Sequence, residues 1–344
     1  FAAGTHAIKA LVKNYGGTAL TSLTLDWKSD GLVQTAVYWT GNLPSGDTTW
    51  VFLDSVNFSL GDFSDFMVYP SNPNGSADLI ASNDTFYIRN IGAGLSGSYT
   101  VGGVSPDFLN FTEAVNVLNN GGVYGAVVFD VRSGTYNEQL KISKIMRLDS
   151  SHTVLFQSEA KDSSLVTLEY AGAYQTNYVL QLNNASYISF QQLTLSSTST
   201  NSYGTVLEID SGSSYVSVKN SVVRSSSYNS TSTNRVLVSK NSSFTSEQLE
   251  FDHVHFINGS RALYLLGSYS NRTGLLVSDC IFDSQYYYGI YITYSQDLVF
   301  QRNIFNVNTA YSYFEAAHFS YIYEGKISEN KIYGGTQTSI GLNI

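Results

Sequence analysis

From Tyr178 to the C-terminal end, apolar and polar positions alternate in short runs that recur as one pattern. The stretch 288–308, YGIYITYSQDLVFQRNIFNVN, shows the unit plainly. It reads as two short strands at 290–293 and 298–300, a turn, and a third strand at 304–307. Comparable units are YVLQLNNASYISFQQLTLSS from Tyr178, GTVLEIDSGSSYVSVKNSVVRSS from Gly204, RVLVSKNSSFTSEQLEFDHVHFING from Arg235, RALYLLGSYSNRTGLLVSDCIFDS from Arg261 and FEAAHFSYIYEGKISENKIYGG from Phe314. The chain ends within a further copy, TSIGLNI, which reads as a processed or excised piece of a longer polypeptide with further domains.

The apolar residues that open the second strand of each unit are Phe190, Val218, Phe251, Val277, Phe300 and Ile327, at steps of 28, 33, 26, 23 and 27 residues. Each is followed by a turn residue (Leu193, Ser221, Val254, Cys280, Asn303, Asn330) and then by an apolar one (Leu195, Val223, Phe256, Phe282, Phe305, Ile332). A unit of about 27 residues with three short strands and no helix predicts a right-handed parallel β-helix rather than a leucine-rich repeat or a propeller. Asn at the turn is expected to adopt a left-handed backbone and bond to the next rung. In the first strand of each unit, Gln181, Glu208, Leu237, Tyr264, Tyr291, His318 and Gly341 are the positions expected to face outward.

Upstream the pattern differs. Residues 1–91 give short strand-like runs split by turn signals such as Asn14-Tyr-Gly-Gly17 and Asn72-Pro-Asn-Gly75, which predicts an immunoglobulin-like β-sandwich. Residues 92–107, GAGLSGSYTVGGVSPD, read as a linker. Residues 108–344 then hold the solenoid with an N-terminal cap. Phe108, Phe111, Ala114, Val115 and Leu118 share one helical face, with Asp107 or Asn110 to start that helix and Gly121-Gly122 to stop it. An amphipathic helix at this place would cover the open end of a stacked core.

Composition narrows the function. Charged residues make up only 13% of the 344 positions, with 28 Gly and 26 Tyr, which suits stacked strands and turns. A net charge of -9 argues against nucleic acid as a partner. No apolar run is long enough to insert in a membrane. The single cysteine, Cys280, excludes an internal disulfide and reads as a small core residue.

Two resemblances supply context. VKNYGGTALTSLTLDW, GNLPSGDTTWVFL and PNGSADLIASNDTF resemble the CARDB-type immunoglobulin-like modules of bacterial surface proteins, which implies a spacer or adhesion-related sandwich. The run from SGSYTVGG through SPDFLNFTEAVNVLNNGGVYGAVVFDVRSGTYNEQLKI resembles a segment of large secreted Bacteroidota proteins, commonly exported by the type IX route, that carry parallel β-helix modules. That resemblance implies an extracellular or cell-surface location.

Candidate chemistry comes in three forms. Tyr264, Tyr291 and His318 would stack on successive rungs as an outward ridge able to bind an extracellular glycan or other surface polymer, or simply to pack across strands. Asp252, Asp279, Arg302 and Glu329, with His253 and His255 nearby, form the constellation that a polysaccharide lyase or glycoside hydrolase would need. The two histidines with an aspartate could also hold zinc, although no third ligand has the spacing. Asp78, Asn83 and Asp84 could hold calcium, against the alternative of paired Asx turns. No motif for another cofactor is present: Gly102-Gly103 and Gly121-Gly122 lack the Lys-Ser/Thr of a phosphate loop. Sequons at Asn184, Asn258 and Asn271 carry little weight in so Asn- and Ser-rich a chain. The expected role is adhesion or structural display without catalysis, with glycan binding at the ridge, and the enzyme is the alternative.

Overall fold

A computed structural model describes residues 1–78, 84–210, 212–227, 229–308, 311–334 and 340–343. The chain divides into two compact units, 1–95 with 120–124, and 96–119 with 125–344.

The first unit is built from antiparallel strands in two sheets. Gly4–Lys13 pairs with Thr48–Phe58 in one. Leu20–Ser29 is the centre of the other and pairs with Phe63–Ser71, Val37–Leu43 and the short Leu32–Val33, while Phe86–Gly92 pairs with Phe63–Ser71 one strand farther out. The alternation seen in the sequence puts Leu23, Leu25, Trp27, Val51, Phe58 and Phe66 in a shared core. Both expected turns are fixed by asparagine. Asn14 donates to the carbonyls of Thr18 and Leu43 at 2.8 and 2.9 Å. Asn74, at φ 52°, accepts from the Thr21 amide at 2.7 Å.

The second unit is a parallel β-solenoid of the right-handed type, with about nine turns. Each turn gives one strand to each of three sheets, of nine, eight and eight strands, called here the first, second and third sheets in chain order. The six period-marking residues are in register, Phe190 to Val218 to Phe251 to Val277 to Phe300 to Ile327. The column continues upstream to Phe156 and Phe129, two rungs before the units read from the sequence. Phenylalanines stack along the axis: Phe129, Phe156 and Phe190 at 4.5 and 5.5 Å, then Phe256, Phe282 and Phe305 at 5.0 and 4.6 Å. No single turn could bury these rings alone; stacking removes them from water at about 25 cal/mol per Å².

The helix is Phe111–Gly121. Asn110, not Asp107, caps it by accepting from the Glu113 amide at 2.9 Å. The Glu138 carboxylate also accepts from the Thr112 amide at 2.7 Å, placing a negative charge at the positive helix end. Phe111 stacks on Phe156 at 6.0 Å, so the apolar face covers the first rungs as expected.

Three expectations are corrected. The left-handed residue at the corner between the first and second sheets is the one before the turn residue. Gln192, Asn220, His253, Asp279, Arg302 and Glu329 all have φ between 49° and 60°. Their amides continue the ladder to the next rung, as from His253 to the Ser278 carbonyl and from Asp279 to that of Gln301. The turn residue itself points inward and bonds by its side chain: Asn303 accepts from the Cys280 amide and Asn330 from the Asn303 amide, both at 2.9 Å.

The outward column of the third sheet contains Ser239 rather than Leu237, which is buried, and the backbone register sets position 343, not Gly341, opposite His318. Loops of unequal length shift the phase of the alternation there. Lastly, the 92–107 segment is not wholly irregular, since Leu95–Val101 forms the ninth strand of the first sheet.

Candidate functional site

Three surfaces of the solenoid carry concentrated chemistry. The first is the corner whose left-handed residues were just described. A left-handed backbone there lifts the side chain off the core, which is why this column is polar. It gathers most of the constellation expected from sequence. Donor atoms of Asp252, His253 and Asp279 lie within 4.8 Å of one another. Arg302 grips Asp279 with Nε and a terminal nitrogen at 2.8 and 2.6 Å. Asp252 accepts from the Ser278 hydroxyl at 2.7 Å and lies 3.1 Å from His253 Nδ1. Glu329 contributes its field to Arg302. His255 stands apart on the second sheet, 3.6 Å from Asp283.

Arg302 is therefore an ion-pair partner rather than a solvated turn charge. Its hydrogen bonds hold the Asp279 carboxyl below the usual carboxylate range, and Asp279 in turn pushes Arg302 up. A carboxylate held so low makes a poor proton donor near neutral pH. The guanidinium donates one hydrogen bond to each Asp279 oxygen, so a metal ion there would share both oxygens with a fixed positive charge.

The second surface is the aromatic ridge on the third sheet. Tyr264, Tyr291 and His318 are in register, as the period implies. Tyr291 and His318 lie parallel at 4.4 Å, and Tyr264 is tilted against Tyr291 at 5.4 Å. The Arg261 guanidinium covers Tyr264 at 4.9 Å and also faces Tyr287 and Tyr288 at 4.8 and 5.4 Å. Glu315 lies 3.0 Å from His318 Nδ1. The three ridge residues are half-buried, and burial pushes the Tyr291 phenol up. Their faces are largely turned toward one another, so the ridge offers ring edges and hydroxyls more than open faces for a sugar to stack on.

The third surface is a groove on the outer face of the first sheet, with a volume of about 770 Å³. Its lining comes from five successive rungs, from Ser189 to Asp297, or about 19 Å along the axis at 4.8 Å per rung. Beta-bulges shape it. Ser246, Thr273 and Ser295 point into the core, and register shifts follow at Ser246/Leu249 and Gly274/Leu276. Gln248 and Asp297 take φ of 48° and 53° at these bends. Each bulge re-aims polar side chains outward, a device common beside functional sites.

The groove side chains are already held in place. Lys219 pairs with Glu250 at 2.7 Å, and the Tyr215 hydroxyl donates to Glu247 at 2.7 Å. Arg272 lies over the Tyr323 ring at 3.8 Å and reaches Gln296 at 3.4 Å. Ser189 and Ser217 share a 2.7 Å hydrogen bond on the floor. Sequence reasoning missed this set. The signal available was the acidic-polar insertion Glu247-Gln248 ahead of Leu249, which interrupts the two-residue alternation that the other strands keep.

Elsewhere, Cys280 is fully buried and its thiol is pushed up to about 12 by burial, which fits a core residue. Among the calcium candidates, Asn83 lies outside the described residues. Burial and the charge of Asp78 raise the Asp84 carboxyl. Two mutually repelling carboxylates favour a cation between them but fall well short of the six to eight oxygens calcium takes.

No family model matches the chain, and no curated protein matches it. Among solved structures, the chain is similar to the pectin methylesterase from Aspergillus niger, with 12% identity and a TM-score of 0.39 over 72% of this chain and 89% of that one. It is also similar to the Agl-KA catalytic domain, with 13% identity and a TM-score of 0.20 over 93% and 76% of the two chains. The catalytic domain of a GH87 alpha-1,3-glucanase in complex with tetrasaccharides shows 11% identity and a TM-score of 0.23 over 98% and 90%. At these values no residue or role is carried from those proteins to this one.

Proposed function

We propose that the solenoid binds an extended, polyhydroxylated polymer along the groove of the first sheet, as part of a cell-surface or extracellular protein acting in adhesion or display. The observation that supports this most is the bulge-shaped groove, with Tyr215, Lys219, Glu247, Glu250 and Arg272 converging on it. Lys219, Glu247, Glu250 and Arg272 are matched to one another or to aromatic and amide groups, which favours hydrogen bonding to a neutral glycan over capture of a strongly charged one. Its five-rung length suits a chain lying along the axis. The ridge of Tyr264, Tyr291 and His318 is a secondary contact in this reading, through hydroxyls and ring edges. The antiparallel N-terminal unit is proposed as an immunoglobulin-like spacer. The Bacteroidota setting and type IX export are proposed on the resemblances in the sequence, and calcium at Asp78 and Asp84 is proposed alongside them.

One observation favours a second reading, a lyase or hydrolase. Glu247, Glu250 and Asp297 share the groove with Lys219 and Arg272 on one sheet, the arrangement such chemistry requires. In that reading the carboxylates of the groove take the part first assigned to Asp252, Asp279, Arg302 and Glu329.

A glycan array on the intact chain, with Tyr215→Ala/Glu250→Gln and Tyr264→Ala/Tyr291→Ala as paired variants, tests the proposal. Loss of binding in the first variant and retention in the second supports the groove. Release of new reducing or unsaturated ends from a bound glycan, abolished by Glu247→Gln or Glu250→Gln, would establish the enzyme reading instead.

A further inference from the structure

The two-stranded sheet of the N-terminal unit has an outer face unlike the ridge. Alternation along Thr48–Phe58 puts Val51 and Leu53 inside and turns Trp50 and Phe52 to solvent, 64% and 51% exposed. Leu11, 54% exposed, is the cross-strand partner of Trp50, and Lys9 is that of Phe52. Two positions along a strand place the two rings about 7 Å apart on one face. Neither Trp50 nor Phe52 has an aromatic or cation contact among the described residues, and each leaves half or more of its surface to solvent.

Charge distinguishes the same face. Residues 1–95 hold four basic side chains against eight aspartates. Two of the four, Lys9 and Lys13, are exposed on this strand beside the rings. Lys13 also lies over the Tyr15 ring at 4.6 Å. The strand's own carboxylate, Asp54, is past the register shift at Ile8/Lys9 and accepts from the Ser55 amide at 2.7 Å. Open rings flanked by ammonium groups, on an otherwise acidic unit, complement a ligand that is both ring-shaped and anionic.

We propose that this face is a stacking platform for a uronate-bearing polysaccharide, with Trp50 and Phe52 against pyranose faces and Lys9 and Lys13 against carboxylates. Stacking supplies specificity for the sugar ring, and the lysines make binding weaken with salt. This site is separate from the groove and takes a different, charged class of glycan.

Affinity electrophoresis of the full chain through alginate tests it, with a neutral β-glucan and phosphatidylglycerol vesicles as comparison probes. Alginate is expected to retard the chain, and Trp50→Ala to weaken that binding about tenfold, as loss of an aromatic contact of this kind implies. Lys9→Gln/Lys13→Gln should weaken it and flatten its salt dependence. Tryptophan emission should shift on adding alginate, since Trp27 is buried and Trp50 is open. All these positions are exposed, and matching thermal melts confirm that the variants fold. No retardation, retardation unchanged in Trp50→Ala, equal retardation by the neutral glucan, or binding to vesicles alone would each overturn the platform. Groove binding of neutral oligosaccharides should be unchanged in Trp50→Ala, so the two readings fail separately.

Discussion

Lys219 Nζ lies 2.7 Å from a Glu250 carboxylate oxygen, one rung away on the outer face of the first sheet. Each side chain is 30% exposed, so the pair contributes less than about 1 kcal/mol to stability. Its value is positional, since it fixes a donor and an acceptor on the groove floor. Glu250→Gln is expected to leave the thermal midpoint within a few degrees of the native value while weakening glycan binding about tenfold. Calorimetric melts and titrations on the same samples check this.

Phe282 should be among the costliest residues to truncate. Its ring is sandwiched between Phe256 at 5.0 Å and Phe305 at 4.6 Å. Phe282→Ala removes contacts on two sides in a core that cannot collapse without shifting rungs, at about 3–5 kcal/mol. Denaturant unfolding reads the loss, and Phe282→Leu should recover most of it.

Asn303 tests the corner ladder. Its side chain accepts from the Cys280 amide and donates to the Val277 carbonyl and to Asn330 Oδ1, with no exposure to solvent. Asn303→Ala leaves the buried Cys280 amide without its acceptor, while Asn330 Oδ1 keeps the Asn303 amide, and should cost about 1–3 kcal/mol. Faster hydrogen exchange at the Cys280 amide than at its neighbours would localise the effect.

Lys240 gives a pH signature. It occupies an inward column between Ile209 and Leu265, and its ammonium donates to the carbonyls of Asn241, Phe244 and Leu266 at 3.0, 2.7 and 2.9 Å. Burial pushes it down to about 8, below its unfolded value near 10.4. Between those values the unfolded chain binds more protons, so stability rises with pH through that window. From pH 8 to about 9.5 the gain should be at most about 2 kcal/mol, and Lys240→Met should remove it. The comparison stops short of pH 10 because burial raises Tyr288 and Tyr291, whose effect on stability has the opposite sign.

How much of this was legible in the sequence follows from which interactions are periodic. Phe190 to Phe300 and Leu195 to Phe305 were legible because a core position must recur at every rung; Ile327 and Ile332 keep the register, but Ile327 is only half-buried and Ile332 is exposed. Tyr264, Tyr291 and His318 were legible for the same reason. Ser239 was not, because the loop before it changes the phase of alternation. The burial of Arg235, Lys240 and Arg261 was not legible either, since a charged residue in an inward position depends on carbonyls and rings supplied by distant loops. Bulges hid the groove. Glu247 and Asp297 look like turn residues until the register shifts show them aimed at one surface. Arg302 and Asp279 share a column of left-handed residues, but their pairing needed the positions of adjacent corners.

The most direct test of the account is glycan binding by the intact chain compared across two variants, Tyr215→Ala/Glu250→Gln in the groove and Tyr264→Ala/Tyr291→Ala on the ridge. The account predicts that a neutral oligosaccharide bound by the native chain is lost by the groove variant and kept by the ridge variant, with both variants folded. Retention in the groove variant together with loss in the ridge variant would contradict it.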